Sequence, residues 1–272
     1  MLGEREKDIL KRIFSKKDIE ELPFEMSKEI SEETNIELRA IEYFALENEI
    51  VPLRYVRNIG SFTIEGQKKL LASKVMIVGL GGLGGYVLEE LCRAGVGEIV
   101  VVDYDTFEET NLNRQLLATE NTLGQEKADV AKKRASEINK TVVIKSFRDK
   151  IENISEIHWE GVELVFDCLD RIDSRLYLEK KAEKLKIPLV HGAVAGWYGQ
   201  VGFFFPGSNW LSKIYRKHKT GIEQILGNPP FTPSLVASLM TALGISYLLG
   251  ELKESTFFFF DLKAMEFEKV NL

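Results

Sequence analysis

The stretch "KVMIVGLGGLGGYVLEELCRAGVGEIVVVDYD", residues 74–105, constrains this chain more than any other. A short apolar run leads into Gly79-x-Gly81-x-x-Gly84, then into a helical pattern, then into a second apolar run that ends in acids. Strand, glycine turn, helix and strand in that order form the phosphate-binding unit of open α/β sheets. Gly79 permits the tight turn. Gly81 and Gly82 let backbone N–H groups approach a phosphate without a Cβ in the way. The following helix turns its positive dipole end toward the same place. Asp103 closes the second strand, where a carboxylate accepts hydrogen bonds from ribose hydroxyls, and Asp105 follows in the same loop. A dinucleotide-binding domain reads the same way up to this point.

The alternation continues downstream. Strands are expected at Val142–Phe147, Leu164–Cys168 and Pro188–His191, with helices at Gly124–Asn139 and Ser174–Leu185 between them. This predicts an α/β fold, a Rossmann-like, mostly parallel sheet with helices on both faces. "GQVGFFFPG" and the final "TFFFFDLKAMEFEKVNL" read as antiparallel additions, and the four phenylalanines at 257–260 as a buried strand. Residues 1–50 form a small N-terminal helical segment, with apolar residues at helical spacing among many charges; 51–272 form the nucleotide domain. Ser27–Glu49 loosely resembles a helix-turn-helix with its turn at Glu33–Asn35, but it is not basic. Residues 1–50 carry no phosphate-binding motif, so a chain starting near Val51 is expected to keep nucleotide binding.

Composition narrows the function classes. A net charge of −6 argues against a general nucleic-acid binder, which needs a basic surface. No apolar run reads as long enough to span a bilayer, and the charged start "LGEREKDILKR" lacks the apolar core of a secretory signal, so a cytoplasmic location is expected. Two cysteines, Cys92 and Cys168, cannot build a four-thiolate zinc site. Both read as buried structural thiols.

The segment "DYDTFEETNLNRQLLATENTLGQEKADVAKK" separates candidate nucleotides. Asn111, Asn113, Arg114 and Gln115 crowd just past the strand's carboxyl end, where ligands sit in such sheets. Arg114 offers a planar fork for phosphate oxygens, and Lys127 returns to the same crevice from the next helix. A dinucleotide's single pyrophosphate, already met by the glycine loop, gains little from two further cations; a triphosphate has more charge to offset. Alternatively, Arg114 and Lys127 form ion pairs with nearby acids.

Four motifs in order, "RYVRNIGSFTIEGQKKLLASKVMIVGLGGLGG", "VVDYDTFEETNLNRQ", "TLGQEKADVA" and "DCLDRIDSR", resemble those of the MoeB/ThiF/HesA family, bacterial relatives of ubiquitin-activating enzymes. The resemblance covers about residues 51–272. It implies ATP-dependent adenylation of the C-terminal glycine of a ubiquitin-like sulfur-carrier protein ending in Gly-Gly. It further implies that Gly82 and Asp103 contact the nucleotide, that Arg114 and Lys127 bind phosphates, and that Asn111 and Gln115 line the site. Asp170 would be the Mg²⁺ ligand. Arg57 matches an arginine that reaches the partner subunit's ATP across a homodimer interface.

The chain departs from the family at its tail. "PGSNWLSKIYRKHKTGIEQILGNPPFTPSLVASLM" contains no cysteine. Zinc is therefore not expected, and neither is a thioester on that loop. Ser208–Thr232 reads instead as a cover over the site or a docking surface for the carrier tail. His218 in its basic run reads as solvated, and His191 as a satisfied structural residue. Asp167 is a candidate supporting group; Asp173 reads as a cap or surface acid. Three other readings remain: a same-fold adenylating enzyme with another acceptor, such as a tRNA-modifying dehydratase; an NAD-dependent oxidoreductase, for which little chain remains as a substrate domain; and a binding module worked by the N-terminal helices.

Overall fold

The computed structural model describes residues 2–15, 19–215 and 223–270. His218 and the basic run around it therefore lie outside the described residues.

The N-terminal unit consists of α1 (Glu4–Phe14), β1 (Glu21–Leu22), α2 (Phe24–Thr34), α3 (Leu38–Glu47) and β2 (Val51–Pro52). Leu10, Ile30, Ile41 and Phe44 give it a small core of its own. Asn35 adopts φ 59° between α2 and α3, at the turn expected from the sequence. The unit is not loosely appended. β1 pairs with β2 in parallel, Glu21 with Val51 and Leu22 with Pro52. Arg39 donates to the carbonyl of Gly97 in the main domain. A cut at Val51 would thus remove a strand partner and a helix that packs on the domain, a consequence the residue pattern did not reveal.

The main domain begins with a 3-10 turn at Leu53–Asn58 and α4 (Ile59–Ala72), which is kinked where Thr63 has φ 60°. Then follow β3 (Lys74–Val78), α5 (Gly84–Ala94), β4 (Glu98–Val102), α6 (Lys127–Ile138), β5 (Val143–Phe147), β6 (Leu164–Asp167), α7 (Ile172–Leu185) and β7 (Leu189–Ala195). β8 (Tyr198–Phe204), α8 (Trp210–Ile214), α9 (Glu223–Leu226), α10 (Phe231–Leu249), β9 (Thr256–Asp261) and β10 (Glu266–Val270) complete it. The eight-stranded sheet runs β10-β9-β8-β7-β6-β3-β4-β5. β7-β6-β3-β4-β5 are parallel and β8, β9 and β10 antiparallel, as expected.

Side chains along β3 alternate between two cores. Val75 and Ile77 join the cluster under α5 and α10, while Met76 and Val78 join the one under α7. Burial on both faces explains why β3 and β4 read as continuous apolar runs. The order also fixes where a ligand can sit. The chain moves outward from β3 to β4 and β5, then returns to β6 on the other side of β3. The strand direction of travel reverses between β3 and β6, and the loops leaving their carboxyl ends diverge there into a crevice.

The longest helix escaped the sequence reading. The tail from Pro206 onward contains α10, which packs against β7, β8 and α5. At 19 residues with mean hydropathy 1.4, α10 is long and apolar enough to cross a membrane, contrary to the expectation that no such run exists. Its Ser, Thr, Gly and Pro residues masked that length. Here Val236, Met240 and Gly244 are buried in the domain.

Candidate active site

The crevice between the β3 and β6 ends is a cleft whose walls carry most of the residues expected from the sequence. Gly79, Gly81, Gly82, Asp103, Asp105, Arg114, Gln115, Lys127 and Asp170 all line it. The glycines divide into two kinds. Gly79 has φ +92°, and a Cβ there would lie 2.6 Å from the carbonyl oxygen of Cys168; at Gly84 a Cβ would lie 1.8 Å from the carbonyl oxygen of Gly79. These two are demanded by the protein's own close approach. Gly81 and Gly82 are not: a Cβ at either would meet its nearest neighbour at 3.6 Å and 3.4 Å, ordinary contact distances. Their bare backbone at the start of α5 instead leaves room for a ligand.

Asp103 is buried, with Oδ2 accepting from the amide of Leu80 (2.6 Å) and Oδ1 from the amide of Asp105 (2.8 Å). Burial pushes its carboxyl above the usual value, opposed by Lys127 and those two amides. Each oxygen retains a lone pair for a ligand hydroxyl. Lys127 opens α6 and is buried, its Nζ 3.4 Å from Asp105 Oδ2. The ion-pair alternative thus holds for Lys127, with Asp105 as the acid. Arg114 makes no ion pair among the described residues and donates to the carbonyl of Thr110 and to Asn113 Oδ1. Gln115 is buried, and its Oε1 has no hydrogen-bond partner among the described residues. An orphaned acceptor in the wall of a cleft costs about 1–3 kcal/mol, which a donor on a ligand can offset. Asn228 Oδ1 is in the same condition and also lines the cleft.

Two expected residues do not face this space. Asn111 is buried, and its Oδ1 accepts from the amide of Glu108 to close its own short turn. Arg57 is exposed on the 3-10 turn before α4. Its neighbour Tyr55 lies against Gly95, and Asn58 is tied through Gln67 to the carbonyl of Ala94. Both contacts are at the carboxyl end of α5, whereas the glycine loop opens its amino end. Eleven residues of helix, about 16 Å at 1.5 Å per residue, separate Arg57's surroundings from its own cleft.

Behind the acid loop is a buried polar network. Asp167 Oδ2 is 2.7 Å from His191 Nδ1 and 3.3 Å from Arg175 Nη1. Arg175 also donates to the carbonyls of Gly192 and Leu169, and Tyr215 Oη lies 3.2 Å from His191 Nε2. Burial alone would raise Asp167, but Arg175 and His191 outweigh it and hold the carboxyl below its usual value. Burial and Arg175 push His191 down, keeping it neutral. Its reading as a satisfied structural histidine agrees with these contacts. Asp170 stands beyond this network, exposed at the cleft. An exposed carboxylate of this kind is the hard oxygen donor that Mg²⁺ prefers.

Sequence reasoning missed four contributors. Lys150 lines the cleft with its Nζ 5.5 Å from the ring centroid of Tyr104. Asn228, within the expected Ser208–Thr232 loop, and Pro233, in the first turn of α10, also line it. Arg175 ends "DCLDRIDSR", and the motif held that signal. The thiols of Cys92 and Cys168 are buried, and burial pushes the former up to about 12 and the latter well above its ordinary value. Neither is a nucleophile in that state. Among the described residues no three His, Cys, Asp or Glu side chains converge as a metal cluster.

The family model described as "ThiF family" matches residues 55–272. A molybdopterin-synthase adenylyltransferase of Haemophilus influenzae is 37% identical over 177 residues, 61% of this chain and 72% of that protein. A sulfur carrier protein adenylyltransferase of Thermus thermophilus is 34% identical over 204 residues, 68% of this chain and 73% of that protein. A "SAMP-activating enzyme E1" of Haloferax volcanii is 30% identical over 80% of this chain and 84% of its own length. Among solved structures, Escherichia coli MccB with ATP superposes with a TM-score of 0.69 at 20% identity, covering 90% of this chain and 82% of that one, a likeness of fold.

Proposed function

This chain belongs to the ThiF family, and on that basis we propose that it is an adenylyltransferase. Its substrate is the C-terminal glycine carboxylate of a small ubiquitin-like sulfur-carrier protein, which it joins to the AMP of ATP. The observation that carries this reading is the convergence, in one cleft, of bare glycine amides, Asp103, Lys127, Arg114 and the orphaned oxygen of Gln115. The names of the relatives supply the acceptor.

The carrier carboxylate attacks the α-phosphorus, and pyrophosphate leaves. Two anions must approach, so the barrier is largely electrostatic. The attacking group is already ionised and needs no general base, which suits a cleft with cations and acids but no nucleophile–base pair. Asp103 accepts from the ribose, the amides at Gly81 and Gly82 face phosphate oxygens, and Arg114 and Lys127 offset charge as it moves to the leaving group. Asp170 would hold Mg²⁺, which supplies further neutralisation of the phosphates.

Arg57 completes the site from a neighbouring copy. Its distance from its own cleft and its freedom from any ion pair among the described residues support a two-fold homodimer with each site finished in trans. Carrier-dependent ATP–pyrophosphate exchange tests the whole reading. Exchange should require a carrier ending in Gly-Gly and vanish when its last glycine is removed. Tight NAD binding with no exchange would identify an oxidoreductase instead.

A further inference from the structure

A second buried charge cluster lies at the end of the sheet opposite the cleft, and nothing in the adenylation chemistry above uses it. Glu42, on α3 of the N-terminal unit, is completely buried. Arg54 Nε lies 3.5 Å from Glu42 Oε1, and Thr141 donates to the same oxygen at 3.0 Å. Arg54 also donates to Asn139 Oδ1, and its guanidinium stacks over Phe24 of α2, 4.5 Å from the ring centroid. Asn139 Nδ2 in turn donates to Tyr55 Oη (2.8 Å) and to the carbonyl of Cys92 (3.1 Å). Arg54 and Tyr55 are thereby gripped from three sides: by α2, by α3 and by the ends of α5 and α6.

This junction is a poor device for stability. Burying an ion pair costs desolvation that its attraction only partly offsets, and apolar residues of the same size would serve at least as well. Glu42 Oε2 is left without a partner, an additional cost. What such a cluster provides is a single geometry. That geometry is imposed on the 3-10 turn Leu53–Asn58, which also carries Arg57. Arg54 and Arg57 are carried by the same short 3-10 turn, so the backbone conformation that Arg54 fastens is also the one from which Arg57 leaves. One arginine of the pair is fastened inward; the other is exposed and free of ion pairs among the described residues.

We infer that the N-terminal unit, through the Glu42–Arg54 junction, is a positioning element for Arg57, so that it governs catalysis at the neighbouring subunit's cleft and not at its own. The inference rests on the reading of Arg57 as a group acting in trans. It gives the N-terminal helices a role in the reaction without any contact with nucleotide or carrier. Misplacing a group by about 1 Å is enough to slow a positioned reaction on the order of 10²-fold.

Subunit mixing separates this role from a structural one. Glu42→Gln keeps the side-chain shape and removes the charge; Arg54→Lys keeps the charge but cannot grip Asn139 in the same way. Each homodimer, confirmed as folded by its thermal melt, should lose exchange activity by roughly 10- to 100-fold. Each is then mixed with Lys127→Ala subunits and allowed to exchange. One cleft of the mixed dimer then has an intact Lys127 and an Arg57 held by an intact junction, so part of the activity returns. A parallel mixture of Arg57→Ala with Lys127→Ala subunits controls for the trans reading. Recovery in the control without recovery for Glu42→Gln or Arg54→Lys would show that the junction acts within its own subunit and overturn the inference. So would a folded Glu42→Gln homodimer with unchanged activity. No recovery in the control would remove the trans reading, and the inference with it, while leaving adenylation itself to the exchange assay.

Discussion

The molecule contains two buried carboxylate–arginine junctions, and they differ in a telling way. Behind the cleft, Asp167 meets Arg175, His191 and the amide of Leu169, and Arg175 donates in addition to the carbonyls of Gly192 and Leu169. At the far end, Glu42 meets Arg54 and Thr141, and its Oε2 has no hydrogen-bond partner among the described residues. The electrostatic outcome is opposite. Asp167 is held below the usual carboxylate value by its partners, while burial pushes Glu42 above it against the pull of Arg54. The first junction is a finished scaffold that fixes the loop carrying Asp170. The second retains cost in exchange for a fixed geometry. Chemistry with the same residue types is satisfied where it supports a charged ligand and strained where it joins two units.

The largest expected effect breaks the finished junction. Arg175→Met leaves Asp167 buried without its cationic partner, and should lower stability by about 3–5 kcal/mol in chemical denaturation. A loss below 1 kcal/mol would mean that His191 alone satisfies Asp167. Arg114→Ala should do the reverse, sparing stability while costing about 2.7–4 kcal/mol of transition-state stabilisation in the exchange rate. Wild-type exchange in that variant would remove Arg114 from the site.

The pH dependence of stability sharpens the contrast. Asp167's lowered value contributes stability that is present above 3.8 and lost as pH falls through its folded value; neutral His191 adds stability that is lost as pH falls below 6.5. Glu42's raised value works in the other direction: its contribution is present below 4.5 and lost as pH rises through its folded value. Urea titrations across this range should show Glu42→Gln removing the loss on the upper side while leaving the acid limb in place. An unchanged upper limb would mean that Glu42 is ionised without cost. The glycines set the two extremes against each other. Gly81→Ala has room in the protein and should fold normally with weakened ATP binding, whereas Gly84→Ala meets the Gly79 carbonyl and should fail to fold. Calorimetry on the two variants distinguishes them.

The same contrast explains what the sequence disclosed. Asp167, Asp170 and Arg175 lie within nine residues, so one short motif holds all three, although only the acids were read as candidates. Glu42, Arg54, Asn139 and Thr141 spread over a hundred residues, and only the fold brings them into contact. The parallel core was legible because its strands are short apolar runs punctuated by glycines. α10 was not, because Pro233 in its first turn and scattered Ser and Thr read as loop, although proline is tolerated at that end of a helix. α4 was hidden by Gly60, Gly66 and the kink at Thr63. Asn111 was a fair candidate by position, but a one-dimensional pattern cannot say whether a polar side chain closes its own turn or faces the cleft.

The central claim is that this cleft joins AMP to a carrier's terminal carboxylate, and trapping that product tests it most directly. The chain is incubated with ATP, Mg²⁺, hydroxylamine and a carrier ending in Gly-Gly, and the carrier is read by intact-protein mass spectrometry. The account predicts a C-terminal hydroxamate that forms only with ATP and disappears with Lys127→Ala. An unmodified carrier, from protein that binds ATP and a carrier together, would contradict it.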